Sequence, residues 1–241
     1  MTDWLTARPV AHRGLHDAAA GVIENTTSAF QAAIDGGYAI ECDVQVSADG
    51  EAMVHHDASL GRLNEGSARL DAMAAAALRL VPFKGTADRI MTLGELCGLV
   101  AGRVPLFVEI KGRHDGGLRL ARRTARELAA YRGPAAVMSF DPNPIAAIRD
   151  LAPHVPRGLV TQRISDSEES QASGLGFLRQ AFAARPQFLA HDVKDIASPP
   201  PQTARRLLGL PLLTWTVRTP ADRSRASRYA DQIIFEGFRP D

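Results

Sequence analysis

YAIECDVQV (38–46), SADGE (47–51) and AMVHH (52–56) run consecutively, and the reading of this stretch decides the fold. Along 38–46, Glu41 and Asp43 fall on one face and Ile40, Cys42 and Val44 on the other, because successive side chains of a strand point to opposite faces. The apolar face suits a covering layer of helices. Residues 47–51 cannot make a parallel crossover, which needs about a dozen residues or more. Asp49-Gly50 is instead a hairpin turn pair. Residues 52–56 therefore return antiparallel. Folding the chain about Asp49-Gly50 sets His56 opposite residues 42–44, beside the two acids, and alternation turns His55 away.

Outward from this hairpin, short apolar runs alternate with helical patterns. Strands are predicted at 9–13, 38–46, 105–111, 135–140, 157–161, 187–192, 211–217 and 232–236. Helices are predicted at 25–36, 92–102, 116–131, 142–151, 174–185, 201–209 and 219–230. Alternating βα units imply a parallel sheet, and eight of them in roughly 250 residues imply an α/β fold of the closed (β/α)8 TIM barrel type. An open doubly wound sheet usually carries a glycine-rich phosphate turn after its first strand. Here Gly14-Leu15-His16 stands there, and no GxGxxG or P-loop occurs in the chain. Residues 47–91 form a small insertion after strand two, with a short Ala-rich helix within 71–80, and 1–241 is read as a single domain.

The 241 residues carry 28 Lys+Arg against 27 Asp+Glu, a net charge of +1. That balance gives no support to a nucleic-acid binder. No run of about 18 apolar residues exists to span a membrane. Two cysteines make neither a disulfide framework nor a zinc site, and MTDWLTARPV lacks the apolar segment of a signal peptide. A cytoplasmic protein is expected. Only five residues, 237–241, follow the last predicted strand, too few for an eighth helix. An exposed seam between the last and first strands is therefore expected, covered either by Trp4 and Leu5 or by a second subunit, and the partner, a homodimer, is favoured.

Glu109 and Lys111 share a face of 105–111 as Glu41 and Asp43 share theirs. Carboxylates gathered at neighbouring strand ends need neutralising. They suit a hard divalent cation, Mg2+ or Ca2+; salt bridges of Glu41 or Glu109 to Arg13 or Lys111 are the competing reading. His12 ends the first strand and His56 ends the hairpin. Two histidines flanking a metal make a general acid and a general base, and Arg13 and Lys111 are cations able to hold a phosphoryl group. Other candidates rank lower. His16 and His55 are expected at the surface or behind the site, and His191 and Asp192 are weaker pocket candidates. His114 and His154 sit in loop-like contexts, and Cys42 belongs in the barrel–helix layer. Arg119, Arg122, Arg123 and Arg126 make a solvated helix face without aromatic partners. Asn25 within ENT (24–26) is also a plausible helix N-cap, beside any role it has in the site.

AHRGL (11–15), IENTTSAF (23–30), IECDV (40–44), VHHD (54–57), VEIK (108–111), MSF (138–140) and WTV (215–217) follow one another in this order. The ordered set resembles the glycerophosphodiester phosphodiesterase family over about residues 9 to 236. The resemblance implies a (β/α)8 barrel with an insertion after strand two. It also implies divalent-metal-dependent hydrolysis of small-molecule glycerophosphodiesters to glycerol 3-phosphate and an alcohol. By position it implies His12 as general base, His56 as general acid, and Glu41, Asp43 and Glu109 as metal ligands. Arg13 would contact the phosphate, Lys111 would lie near metal and phosphate, and Trp215 and Phe140 would wall the pocket.

The chain departs from the family where IIFEGFRP (233–240) replaces a strand ending IITD and where LGRLN (60–64) replaces LxRTT. Glu236 reads as an extra carboxylate in the mouth, as a selector of a cationic or hydroxylated leaving group, or as a solvated strand end. Two rivals follow: a phosphodiesterase for a lysophospholipid or a sugar-phosphate diester, and a glycerophosphate-binding protein without turnover. An exposed apolar rim within 57–90 would favour the lipid; intact His12 and His56 argue against the binder.

Overall fold

The computed structural model describes residues 3–111, 118–163 and 184–240. Its strands are β1 (Val10–Ala11), β2 (Ala39–Val46), β3 (Ala52–Val54), β4 (Leu106–Ile110), β5 (Ala135–Ser139), β6 (Arg157–Thr161), β7 (Phe188–Asp192), β8 (Leu212–Val217) and β9 (Gln232–Phe235). Neighbours run β1-β9-β8-β7-β6-β5-β4-β2, and β1 pairs back onto β2, so eight parallel strands close into a barrel. The helices are α1 (Thr27–Asp35), α2 (Ala75–Leu78), α3 (Leu93–Val100), α4 (Leu118–Ala130), α5 (Pro142–Leu151), α6 (Pro199–Leu207) and α7 (Pro220–Tyr229). The helix predicted at 174–185 lies almost wholly outside the described residues, and His114 lies outside them.

β3 is the hairpin arm. Val44, Gln45 and Val46 pair antiparallel with Val54, Met53 and Ala52. The His55 N–H still donates to Asp43 O at 3.0 Å, and Gln45 Nε2 donates to His56 O at 2.8 Å. The turn chemistry of Asp49-Gly50 thus brings His56 back beside the acidic strand. Arg119 donates to Ala48 O, and Arg123 pairs with Glu51 at 2.7 Å. Two of the four arginines expected to be merely solvated therefore brace this hairpin, while Arg122 and Arg126 are exposed.

Strand alternation sorts the core into layers. Ile40, Cys42 and Val44 of β2 and Leu106, Val108 and Ile110 of β4 pack outward with Phe30, Leu93, Leu96 and Leu120 of the helices. Ala39 and Phe107 point inward with Val10, Phe188, Leu213 and Ile234. Phe107 meets Phe188 edge-on at 6.0 Å and Trp4 at 5.7 Å, and Leu5 is fully buried among the strand starts. Each such apolar side chain removed from water contributes about 1.5–3 kcal/mol.

Trp4 and Leu5 therefore plug the barrel's lower interior and do not cover the outer seam. The seam is closed by the segment after β9. Phe235 is 1% exposed, with Tyr38 edge-on at 5.0 Å and Phe238 at 5.4 Å. Tyr38 Oη donates to Pro240 O at 2.7 Å, and the Arg223 guanidinium lies 5.0 Å from the Phe238 ring. Residues 236–240 thus cover the seam in the place of an eighth helix.

The insertion folds on its own small core of Met53, Leu60, Leu70, Leu78, Phe83 and Ile90. The exposed apolar rim that would favour a lipid is not there: Leu80 is the one large hydrophobic of 57–90 that stands exposed.

Candidate active site

The mouth of the barrel is built from the ends of β1, β2 and β4. Beyond Ala11, the His12 N–H donates to Phe235 O at 3.0 Å, so the ladder carries His12 to the rim. The chain then turns sharply. Arg13 (φ +56) donates its N–H to Glu41 Oε2 at 2.9 Å, and Gly14 (φ +79) donates to Glu41 O at 3.2 Å. A Cβ on Gly14 would fall 2.8 Å from the Ala29 backbone, so only glycine permits the turn that hooks β1 over the acidic strand.

Glu41, Asp43 and Glu109 point into this mouth. Asp43 and Glu109 are cross-strand partners, and one carboxylate oxygen from each of the three lies within 4.8 Å of the others. All three are buried. Lys111 Nζ lies 2.7 Å from Asp43 Oδ1 and 2.5 Å from Glu109 Oε1. Arg13 Nε lies 3.2 Å from Asp43 Oδ2.

Burial, then the charges of Asp43 and Glu109, push the Glu41 carboxyl well above its ordinary pKa. Burial works upward on Asp43 too, but Lys111 and Arg13 override it and hold Asp43 well below the usual range. Burial also raises Glu109, against the pull of Lys111. Salt bridges thus account for Asp43 and Glu109 and leave Glu41 over. Its Oε1 has no hydrogen-bond partner, and its sole ion-pair contact among the described residues is His12 Nε2 at 3.9 Å. A buried oxygen without a donor, inside a cluster of mutually repelling carboxylates, fits an oxygen-ligated divalent cation.

Both histidines reach the same pocket, which His12, Arg13, Glu41, His56, Glu109 and Lys111 line together. Met138, Val160 and Ile234, the top of the interior core, also line it. Phe140 and Trp215 stand edge-on at 5.4 Å as one wall. Trp215 is anchored by its indole N–H on Ala190 O at 3.0 Å.

Residues 12–236 match the glycerophosphoryl diester phosphodiesterase family. The chain belongs to that family. It is 31% identical to a Mycobacterium tuberculosis protein named "Probable glycerophosphodiester phosphodiesterase 1", over 69% of each chain. It is 26% identical to bovine glycerophosphodiester phosphodiesterase 1, over 96% of this chain and 80% of that protein. An Oleispira antarctica phosphodiesterase, solved in complex with the product sn-glycerol-3-phosphate, shares the fold at a TM-score of 0.76 and 18% identity, over 95% of this chain and 92% of that one. The enzyme class is that of the glycerophosphodiester phosphodiesterases.

Within this family frame, the groups that hold the two histidines stand out. His12 Nδ1 faces Glu236 Oε2 at 2.9 Å, and Arg218 Nη2 donates to the same oxygen at 2.9 Å. Glu236 is thus an extra carboxylate held by the pocket-lining His12 and Arg218, not a solvated strand end. The His12 hydrogen bond, despite partial burial, holds its pKa down at about 2. His56 Nδ1 faces Asp57 Oδ1 at 2.7 Å. In each pair the carboxylate engages Nδ1 and not Nε2. Burial lowers both histidines' pKa values.

The partners were legible to different degrees. Asp57 adjoins His56 in VHHD, and that adjacency was the available signal. Glu236 lies 224 residues from His12, and only barrel closure joins them. Asn25 is not the helix cap; Thr26 caps α1. Asn25 (φ +57) instead donates Nδ2 to Asp43 Oδ2 at 2.9 Å and helps fix that carboxylate.

The minor candidates separate cleanly. His55 is buried in the insertion, between Asp57 O at 2.8 Å and Asn64 Oδ1 at 2.9 Å. His191 is held by Thr161 at 2.8 Å and Asp195 at 3.3 Å, and neither it nor Asp192 lines the pocket. His16 Nε2 lies 3.9 Å from Glu236, behind His12, and His154 is exposed. Cys42 sits in the barrel–helix layer, its thiol pushed far up by burial.

Proposed function

We propose that this chain hydrolyses glycerophosphodiesters to glycerol 3-phosphate and an alcohol, with one divalent cation, Mg2+ or Ca2+, held by Glu41, Asp43 and Glu109. The observation that carries the proposal is the pairing of two carboxylate-held histidines with three crowded acids around one pocket. A bound cation supplies Lewis-acid stabilisation of the charge on a non-bridging phosphoryl oxygen.

The remaining roles fall to side chains. Arg13 and Lys111 attract the anionic diester and offset the charge that develops in the transition state. The His12 side chain is 12% exposed and the His56 side chain 32%. Burial disfavours the protonated form, so His12 suits the base, neutral with Nε2 open to take a proton from the nucleophile. His56, wetter and backed by Asp57, suits the acid that protonates the departing alkoxide. Phe140 and Trp215 would press on the apolar faces of the glycerol or leaving group.

The oligomer and the compartment belong to the same proposal. A monomer is consistent with the closed seam. A cytoplasmic location is consistent with the free, buried thiols of Cys42 and Cys97, and no helix among the described residues is long and apolar enough to cross a membrane.

A coupled assay for glycerol 3-phosphate, run on glycerophosphocholine and glycerophosphoethanolamine, tests the proposal. Release is expected from at least one diester, lost with EDTA and restored by Mg2+ or Ca2+. Undiminished turnover after complete metal removal would sink the metal. Tight binding of the diesters without turnover would instead favour a binding protein.

A further inference from the structure

Outside the pocket lies a side chain that ties both arms of the site together. Arg62 belongs to the insertion and is not a pocket-lining residue. Its guanidinium makes three charge-assisted hydrogen bonds. Nε donates to Asp57 Oδ2 at 2.7 Å, and Nη1 and Nη2 donate to Glu24 Oε2 and Oε1 at 3.0 and 2.8 Å. Asp57 gives its other oxygen to His56. Glu24 Oε1 also accepts from Arg13 Nη1 at 2.7 Å. The path His56–Asp57–Arg62–Glu24–Arg13 is therefore continuous, from the histidine of the hairpin to the arginine after β1.

We propose that Arg62 is the positioning residue of the general acid: by gripping Asp57 and Glu24 together, it fixes the His56 imidazole relative to the phosphate-binding Arg13. This rests on the acid–base assignment made above.

Three observations support it. The Arg62 side chain is 46% exposed, and ion pairs that wet contribute little to stability, so stability alone does not account for three aligned bonds. The planar fork of arginine satisfies one carboxylate with two donors while a third reaches another, which a lysine ammonium on one flexible stem cannot reproduce. Finally, Arg62 stands on a rigid base. Leu60 and Leu63 pack into the insertion core, the Leu60 N–H donates to Ala68 O at 2.9 Å, and Leu63 O accepts from the Lys84 N–H at 2.8 Å. The small core of the insertion thus holds Arg62 against the arm that carries His56 and Asp57.

The test uses leaving-group dependence. An alkyl alcohol such as choline leaves only if its oxygen is protonated, whereas p-nitrophenolate leaves without a proton. A residue that positions the acid should therefore matter for glycerophosphocholine and hardly at all for the p-nitrophenyl ester of glycerol phosphate. For Arg62→Gln, kcat on glycerophosphocholine is expected to fall by about 10- to 100-fold, part of what general acid catalysis supplies, against less than about 3-fold on the p-nitrophenyl ester. Arg62→Lys should recover part of the loss, and it carries the same comparison should Arg62→Gln not fold.

His56→Ala is the control. If it too loses far more activity on the alkyl ester, the general-acid assignment stands. Equal losses on both esters in the Arg62 variants, or no loss at all, would then overturn the positioning role alone. Equal losses in His56→Ala would overturn the assignment itself, and this inference with it.

Discussion

Replacing either His12 or His56 with alanine is expected to lower kcat on glycerophosphocholine by about 10²–10⁴-fold, the usual contribution of a positioned proton-transfer group. Both rings are pinned at Nδ1 by carboxylates and line one pocket, so each loses its whole function on truncation. KM should change little, because Arg13 and Lys111 remain to bind the anionic diester. The double variant should fall well short of the product of the two single losses, since the groups act on one transition state. Steady-state kinetics on the three variants, each first shown to be folded by its thermal melt, measure this. Activity surviving in both single variants would contradict the acid–base assignment.

Glu41→Gln and Asp43→Asn are expected to abolish turnover alike and to move stability in opposite directions. Losing the cation forfeits several kcal/mol of transition-state stabilisation, a rate loss of roughly 10³-fold or more. Stability follows the pKa signs. The folded-state pKa of Glu41 is raised by burial and by its acidic neighbours. The cation-free fold is therefore favoured below the carboxyl's unfolded pKa and loses that favour as pH rises through the folded value. Gln keeps the acceptor for the Arg13 N–H and adds a donor where Glu41 Oε1 has no partner. Near neutral pH it should raise the stability of the cation-free chain by about 1–2 kcal/mol, roughly 2–8 °C in Tm. The Asp43 pKa is instead held low, against burial, by Lys111 and Arg13. Its contribution is present above the unfolded value and is lost only as pH falls toward the folded one. Asn would take one of two carboxylate partners from each of Lys111 and Arg13, leaving them Glu109 and Glu24, and lower Tm. Melts in EDTA read both signs; the same sign for the two variants would contradict this electrostatic account.

The barrel was legible because its determinants are local. Period-two alternation in 38–46 and 105–111 separates the acids from the apolar outer face. The shortness of 47–51 rules out a crossover, and Asp49-Gly50 makes the return that delivers His56. The acids and histidines could be named because each sits at the end of such a strand or arm. What holds them was not legible in the same way. Glu236 meets His12, and Phe235 and Pro240 meet Tyr38, only once the last strand lies beside the first. The cap reading of Asn25 failed because Asn before a helix has a strong local meaning as a cap. Its left-handed backbone, which hands the cap to Thr26 and the side chain to Asp43, is imposed by the tertiary turn around Arg13 and Asn25. Trp4 and Leu5 were one of the two covers considered for the seam, and they lie elsewhere, because sequence shows that apolar residues need cover and not which end of a barrel they reach.

The bond that breaks is the most direct test of the whole account. Glycerophosphocholine, incubated with the purified chain and Mg2+ or Ca2+, can be followed by phosphorus NMR without any coupling enzyme. The diester resonance should be replaced by that of glycerol 3-phosphate, and the spectrum should stay unchanged in EDTA. Phosphocholine as the product, or equal conversion with and without the chelator, would contradict it.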